Sequence, residues 1–245
     1  MAPFTRYVGE TDLGTQVSRT FRDKQETFYR SDARNLSRIA SPGNQYIIQL
    51  IKGGYLEYFS SFDGKKMLDM GCGSGFNLVS FAMMGWQSYG CEISKDIVEY
   101  AKYNVKRFGF DVEIVVGENK NIPFGSQCFD LLLSTNVIHY VDSEEGMRNN
   151  IQEYARILKK QGRILLLTTH PENWILEGSE RLNGNLHQIT KGDDFRDGEI
   201  FFVFQDEQEI GDYFSGSFKE IKIGINRLDF FTKRVLNYVV TGVKS

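Results

Sequence analysis

From Lys65 onward, apolar and polar positions follow two alternating periods. Apolar runs of strand length, Lys66 to Met70, Gln87 to Ile93, Val112 to Val116, Phe129 to Ser134 and Arg163 to Thr168, alternate with segments of helical period. Phe76 to Met84 fits a short helix stopped by Gly85, with Phe76, Leu78, Val79 and Phe81 in the core. Ser94 suits the cap of a helix that runs to about Phe108 and ends at Gly109. Asp142 opens another, in which Met147, Ile151, Tyr154, Ala155 and Leu158 share one face. Lys159 and Lys160 suit its end, where cations offset the carbonyl dipoles, and Gln161-Gly162 close it. The repeated strand, helix, strand order predicts right-handed crossovers and a doubly wound α/β sheet. The ligand crevice of such a sheet lies at the carboxyl ends of its strands.

The flanks are less regular. Residues 1 to 64 hold the polar, aromatic stretch Phe28-Tyr29-Arg30-Ser31 and a helical segment, Gln45 to Gly53, and are expected to form an N-terminal helical lid over a core of residues 65 to 245. The segment from His170 to about Glu199 is too long for an ordinary connection and reads as an inserted substrate loop. Beyond it come Ile200 to Phe204, a short helix over Asp206 to Phe214, and strand-like runs Phe218 to Ile225 and Arg234 to Gly242.

With 245 residues, 41% of them apolar and 25% charged, the chain can bury a full core, and one elaborated domain is the expectation. Lys plus Arg is 29 against 32 for Asp plus Glu, a net charge of -3, which lacks the basic excess that favours phosphate backbones. A nucleic-acid substrate is demoted accordingly. No stretch approaches the ~20 apolar residues of a membrane span, and Met-Ala-Pro-Phe-Thr-Arg-Tyr lacks a basic region followed by an apolar one, so the reading is a cytoplasmic protein. Cys72, Cys91 and Cys128 show no CxxC spacing, and His139, His170 and His187 show no metal spacing, so neither a disulfide framework nor a metal is expected.

The informative stretch is Met67-Leu68-Asp69-Met70-Gly71-Cys72-Gly73-Ser74-Gly75-Phe76, an apolar strand that enters a glycine-dense turn and then a helix. Glycines permit positive φ and close approach of a ligand, and the helix start offers free N–H groups. No GKS or GKT follows, and the third glycine is misplaced for a dinucleotide fold. A carboxylate at Asp69 repels pyrophosphate but attracts an ammonium or sulfonium group. Glu92, at the end of the second strand, stands where a carboxylate accepts both hydroxyls of a ribose.

Gly117-Glu118-Asn119-Lys120-Asn121 follows the third strand, and Ser134-Thr135-Asn136-Val137-Ile138-His139-Tyr140 leaves the fourth. In this order of motifs, over about residues 65 to 169, the sequence resembles the class I S-adenosylmethionine-dependent methyltransferases. The resemblance implies their Rossmann-like, mostly parallel seven-stranded sheet and S-adenosylmethionine as cofactor, with S-adenosylhomocysteine as product. It implies that Asp69, Gly71, Cys72 and Gly73 surround the methionine moiety, that Glu92 binds the ribose, and that Ile93 lies against the adenine. Glu118, where many members have Asp, and Asn119 belong near the adenine amino group, and the Asn136 backbone belongs near the methionine amine and sulfonium.

His139 is the best-placed base for an oxygen or nitrogen acceptor, with a wall-forming role as the alternative, and Tyr140 is a candidate for the acceptor pocket. Tyr29 and Arg30 are candidates to close the lid on the cofactor through an aromatic face and a carboxylate clamp, or else form a solvated helix end. His170, Trp174, His187 and Arg196 are candidate substrate contacts in the long loop. The expected function is methyl transfer to a small molecule, with a sugar or glycan precursor as one class. An RNA or protein methyltransferase and a non-catalytic cofactor-binding module are the alternatives. Ser134-Thr135-Asn136-Val137 in place of an NPPY or DPPY tetrapeptide argues against the amino-methylating nucleic-acid group.

Overall fold

The computed structural model describes residues 44–56, 64–191 and 196–245. Seven strands form one sheet in the order β3-β2-β1-β4-β5-β10-β9. The first five are β1 (Lys66–Met70), β2 (Gln87–Glu92), β3 (Glu113–Val116), β4 (Phe129–Thr135) and β5 (Leu158–Thr169), all parallel. β9 (Phe218–Phe230) and β10 (Lys233–Lys244) make an antiparallel hairpin that joins the sheet through β5. The expected doubly wound, mostly parallel sheet is what the chain forms.

Two apolar layers sandwich it. On one face α1 (Gln45–Lys52), α2 (Phe76–Met83) and α3 (Lys95–Arg107) bury Ile47, Leu78, Phe81, Val98 and Val105 against Met67, Leu131 and Leu133. On the other, α4 (Glu144–Ile157) and α5 (Glu207–Phe214) bury Met147, Ile151, Tyr154, Ile210 and Phe214 against Leu68, Met70, Leu132 and Leu166. Alternate residues of each central strand thus face opposite layers, as the pleat requires. Ser94 caps α3 as expected, accepting from the Asp96 N–H. No helix among the described residues is long and apolar enough to cross a membrane.

Three boundaries differ from the sequence reading. α4 is capped by Ser143, whose side chain accepts from the Gly146 N–H, rather than opened by Asp142. It ends at Ile157, because Leu158 already has the extended conformation of β5. Gln161-Gly162 therefore lie within a strand and do not close the helix, and Lys159 pairs with Asp130 across the sheet at 2.8 Å instead of facing helix carbonyls. Finally, the inserted segment is built rather than loop-like. A 3₁₀ turn (Trp174–Leu176) precedes a small antiparallel sheet of β6 (Glu180–Asn183), β7 (Leu186–Gln188) and β8 (Ile200–Phe202). β6 is exposed along its whole length, so it carries no alternating pattern to read.

The insert has its own core of Ile175, Leu176, Ile189, Phe201 and Val203. It is fastened to the segment after β4 by the Phe202 N–H, which donates to the His139 carbonyl at 2.8 Å, and to α5 by an Asn185 to Glu209 side-chain hydrogen bond. α4 in turn holds the segment between β3 and β4. Glu153 accepts from the Ile122 N–H at 2.7 Å, while Arg156 donates to the Ile122 and Phe124 carbonyls at 3.0 and 2.9 Å. The segment's backbone groups thus find partners without forming a strand. Arg156→Ala removes the guanidinium from the Phe124 carbonyl, and from the Ile122 carbonyl and Glu153, which keep only the Phe124 and Ile122 N–H groups, so we expect a loss of about 1 to 3 kcal/mol in urea unfolding, lowered toward the smaller figure by the partial exposure of Arg156. An unchanged midpoint would show that the segment stands without this clamp.

Candidate functional site

β1, β2, β3 and β4 end along one edge of the sheet, and the segments that leave them make up the site. Gly71, Gly73 and Gly75 have φ of 70°, 50° and 82° in the turn after β1. At Gly71 glycine is required twice over, because a Cβ there would lie 2.3 Å from Val137 Cγ2. The turn hangs on β2, since the Gly71 and Cys72 N–H groups donate to the Cys91 carbonyl at 2.8 and 3.2 Å. α2 then starts at Gly75 with no side-chain cap, leaving first-turn N–H groups for a polar ligand group.

Two carboxyls flank the turn. Asp69 is fully buried at the end of β1, and neither of its oxygens has a hydrogen-bond partner among the described residues. Burial drives its pKa up to about 8, the nearby Asn77 amide offsets part of that effect, and Glu92 adds to it. Glu92 is occupied differently, because one oxygen accepts from the Gly73 N–H at 3.0 Å and the other from the Ile93 N–H at 2.6 Å. Burial raises its pKa and these two donors pull it back. Cys72 is buried inside the turn with its thiol pushed well up by burial, so a thiolate is disfavoured there. Ile93 follows directly, half-buried.

Glu118 and Asn119 leave β3 in a tight reversal closed by the Asn121 N–H to the Glu118 carbonyl at 3.0 Å, with Lys120 beside Glu118 at 3.7 Å. The Asn119 amide reaches across to the exit of β4, where Nδ2 donates to the Val137 carbonyl at 3.2 Å. Asn136 is exposed in the left-handed region with φ 58°, and its N–H donates to the Leu167 carbonyl at 2.8 Å. The structure thus brings together Asp69, the glycine turn, Glu92, Ile93, Glu118, Asn119 and Asn136.

His139 lies farther along the same exit, 2% exposed. Its ring stacks on Phe201 at 4.2 Å, Tyr140 lies 4.6 Å away, and Thr169 Oγ1 is 3.3 Å from its Nδ1. Burial, with a smaller contribution from the Arg196 charge, depresses its pKa to about 3, so the ring is neutral at ordinary pH. Tyr140 and Trp174 both pack on the insert's core. Trp174 also faces two cations, Lys233 Nζ at 4.0 Å and Lys191 Nζ at 5.4 Å from its ring centre. His170 packs instead on Tyr238 at 4.5 Å, and His187 Nδ1 lies 3.3 Å from Ser179 Oγ. Tyr29 and Arg30 lie outside the described residues.

Three positions that sequence reasoning passed over hold the turn and loops in place. Asn77 Oδ1 accepts from the Asn44 N–H at 2.7 Å, tying α1 to the helix after the glycine turn. Asn104 of α3 donates to the Ser74 carbonyl at 3.0 Å, and Tyr154 of α4 bonds Asn119. Asn104 and Tyr154 sit on buried faces of their helices, where a polar group needs a partner, and that was their only signal in the sequence.

Residues 68–166 match the family described as "Methyltransferase domain", a span that holds the glycine turn, Glu92, Glu118, Asn119, Asn136 and His139. The mouse protein named probable tRNA methyltransferase 9B is 30% identical over 118 residues, which is 48% of this chain and 24% of that protein. The uncharacterized methyltransferase YcgJ of Bacillus subtilis is 28% identical over 114 residues, 46% of this chain and 44% of its own. The match thus spans less than half of the length of either relative. The solved structure of Burkholderia thailandensis 1,6-didemethyltoxoflavin-N1-methyltransferase, with bound 1,6-didemethyltoxoflavin and S-adenosylhomocysteine, superposes with a TM-score of 0.66 at 16% identity, covering 98% of this chain and 93% of that one. That likeness is one of fold. Residues 68–166 thus match a methyltransferase domain, carried on a Rossmann-like sheet of the same fold as the solved methyltransferase.

Proposed function

We propose that the protein transfers a methyl group from S-adenosylmethionine to an oxygen or nitrogen of a small molecule, in the cytoplasm. The observation that carries the donor assignment is Asp69, a buried carboxyl with no partner at the mouth of a turn whose backbone permits close approach. Leaving such a group unpaired costs stability unless a cationic ligand completes it. The uncapped start of α2 suits the ligand's carboxylate, Asp69 its ammonium end, and Glu92 its ribose. Ile93, Glu118 and Asn119 then flank the adenine, with Gly71, Cys72, Gly73 and the Asn136 backbone around the methionine part. When bound, the donor supplies an electrophilic methyl on a cationic sulfur, so the protein's task is alignment and exclusion of water.

The acceptor side is where His139 acts in this reading. A neutral imidazole with a pKa near 3 is a weak base, yet adequate for an oxygen that has just become positive through attack. It does not suffice to deprotonate an ordinary alkylammonium product, which favours an oxygen, or a nitrogen within a conjugated ring, over an aliphatic amine. Tyr140, Trp174, His170 and Arg196 are proposed as acceptor contacts, with the built insert as the cover of the crevice and the extension of residues 1–64, including Tyr29 and Arg30, as a lid. The buried, unpaired thiols of Cys72 and Cys91 agree with a reducing compartment.

RNA methylation is the second reading, favoured by the likeness to probable tRNA methyltransferase 9B and opposed by the net charge of -3. Incubation with methyl-labelled donor and either a metabolite extract or total tRNA separates the two. Label in a small molecule is the expected outcome, and label confined to tRNA would overturn the small-molecule assignment.

Asp69→Ala and Glu92→Ala should each weaken S-adenosylhomocysteine binding by about 1 to 3 kcal/mol in calorimetry, and unchanged affinity in both would reject the pocket. The pH dependence has a definite sign. With a pKa of about 8, Asp69 is protonated in the free protein and must lose that proton to meet a cation. Affinity for S-adenosylmethionine should therefore rise from about pH 5.5 to 7, with proton release on binding, and Asp69→Asn should abolish both. His139→Asn should lower kcat more than donor affinity, and the rate should show no inflection near pH 6.5 from His139, whose titration lies near 3. Equal turnover by that variant would assign the ring to the wall alone.

A further inference from the structure

The hairpin of β9 and β10 outruns the sheet it joins. Asn237 of β10 lies opposite Thr169, the last residue of β5, so Lys233 to Leu236 and their partners on β9, Arg227 to Phe230, extend past it as a two-stranded arm. The arm leaves from the edge at which the parallel strands end, and at about 3.3 Å per residue its last pair, Phe230 and Lys233, stands about 10 Å beyond Leu236. Its base is braced on the insert, since Asn173 Nδ2 donates to the Leu236 carbonyl at 2.6 Å and Lys233 Nζ lies 4.0 Å from the centre of the Trp174 ring. Paired side chains share a face, so one face of the arm carries Leu228, Val235, Phe230 and Lys233, and the other carries Arg227, Asp229 and Arg234.

The tip departs from the chemistry of a two-residue hairpin turn. Only Phe231 and Thr232 separate the last pair, a place where Asn-Gly or Gly-led sequences are favoured because they tolerate positive φ. Phe231 has φ 54°, a left-handed conformation that is costly for a bulky residue, and its ring is fully exposed, with Phe230 beside it 55% exposed. Glycine would relieve this backbone and a polar residue would suit water, so two phenyl rings held outward on a strained turn point to a partner that receives them. Behind the rings, residues 225–236 hold Arg227, Lys233 and Arg234 against Asp229 alone, on a protein of net charge -3. Asp229 accepts from Nε of both arginines, at 2.7 and 3.2 Å, and Arg234 also donates to Glu172 at 3.2 Å, which ties the arm to the turn after β5. The order along the arm is therefore an apolar apex followed within about 10 Å by cations, which matches the acyl boundary and the phosphates of a lipid surface. Single-stranded nucleic acid calls instead for aromatics that line a cationic groove, whereas these rings stand on a projecting turn. A second copy of the chain calls for about 800 Å² per partner, far more than two phenyl rings supply.

We propose that the tip of the β9–β10 arm docks the protein on an anionic lipid bilayer, with Phe230 and Phe231 in the headgroup and acyl boundary and Lys233, Arg234 and Arg227 at the phosphates. The contact is peripheral and needs no spanning helix. The edge of the sheet that carries the glycine turn then faces the lipid. This inference goes beyond methyl transfer and does not depend on the donor reading.

The test is co-sedimentation of the full chain with vesicles of phosphatidylcholine alone and of an equal mixture of phosphatidylcholine and phosphatidylglycerol. Wild type should sediment with the mixed vesicles, several-fold less with phosphatidylcholine, and progressively less as salt screens the cations. The double variant Phe230→Ser, Phe231→Gly should bind the mixed vesicles about tenfold more weakly or worse, because it removes the apolar area that enters the boundary. Glycine suits the φ of 54°, and both positions are exposed, so an unchanged thermal midpoint is expected for the variant. Phe231→Gly alone serves where the double variant fails to fold, and Phe231→Trp should retain binding. Wild type that stays in the supernatant with mixed vesicles, or a folded variant that sediments as wild type does, would overturn the proposal. Equal sedimentation with both vesicle types would overturn the assignment to an anionic surface. Retention of tRNA on filters, or a dimer in light scattering, that the double variant loses while neither vesicle binds wild type, would give the tip to nucleic acid or to a second copy and overturn it as well.

Discussion

The site depends on one arrangement of charge and backbone at the end of β1. Asp69 is carried into the interior by a strand whose neighbours on both sides are parallel and apolar, and nothing among the described residues satisfies its oxygens. Directly after it the chain turns through three residues of positive φ. A buried carboxyl and a backbone stripped of side chains are each costly for a fold, and they are found together where a ligand can offset both. Glu92 completes the arrangement from β2, since one of its oxygens holds the turn at Gly73 while the other is held at Ile93. The same carboxylate therefore ties the turn after β1 to the end of β2.

The surroundings of this turn explain how loops at a sheet edge stay in place. Each is tied to a helix behind it: Ser74 to Asn104 of α3, Ile122 and Phe124 to Arg156 of α4, Asn119 to Tyr154 of α4. α1 joins the same scheme through Asn44, whose N–H donates to Asn77 of the helix that follows the glycine turn. The insert is bound at the His139 carbonyl after β4, and Phe201 stacks there on the His139 ring. The glycine turn and the insert are thus both tied to segments leaving the one sheet, the arrangement that the proposed in-line transfer calls for.

Much of this was legible in the residues. The strands up to β5 and the helices between them announced themselves by period, and the glycine turn, Asp69 and Glu92 stood out because their chemistry is local: which backbone φ a residue tolerates, and which charge ends a strand. What stayed hidden is relational. The end of α4 was read past Ile157 because Leu158 continues the apolar face, and only the pairing with β4 shows that it begins a strand. β6 has no buried face to betray it. The depressed pKa of His139 comes from its burial, with the Arg196 charge adding to it, and the roles of Asn77, Asn104 and Tyr154 arise from partners far away in the chain. A single side chain in a sequence does not announce a partner 30 or 35 positions distant.

The most direct measurement is a crystal structure of the protein with S-adenosylhomocysteine. The account predicts the ligand's amino group within hydrogen-bond distance of Asp69, its ribose hydroxyls on Glu92, and its sulfur directed toward the space between Asn136 and His139. A ligand bound elsewhere, or one in this cleft with Asp69 still unpaired, would contradict it.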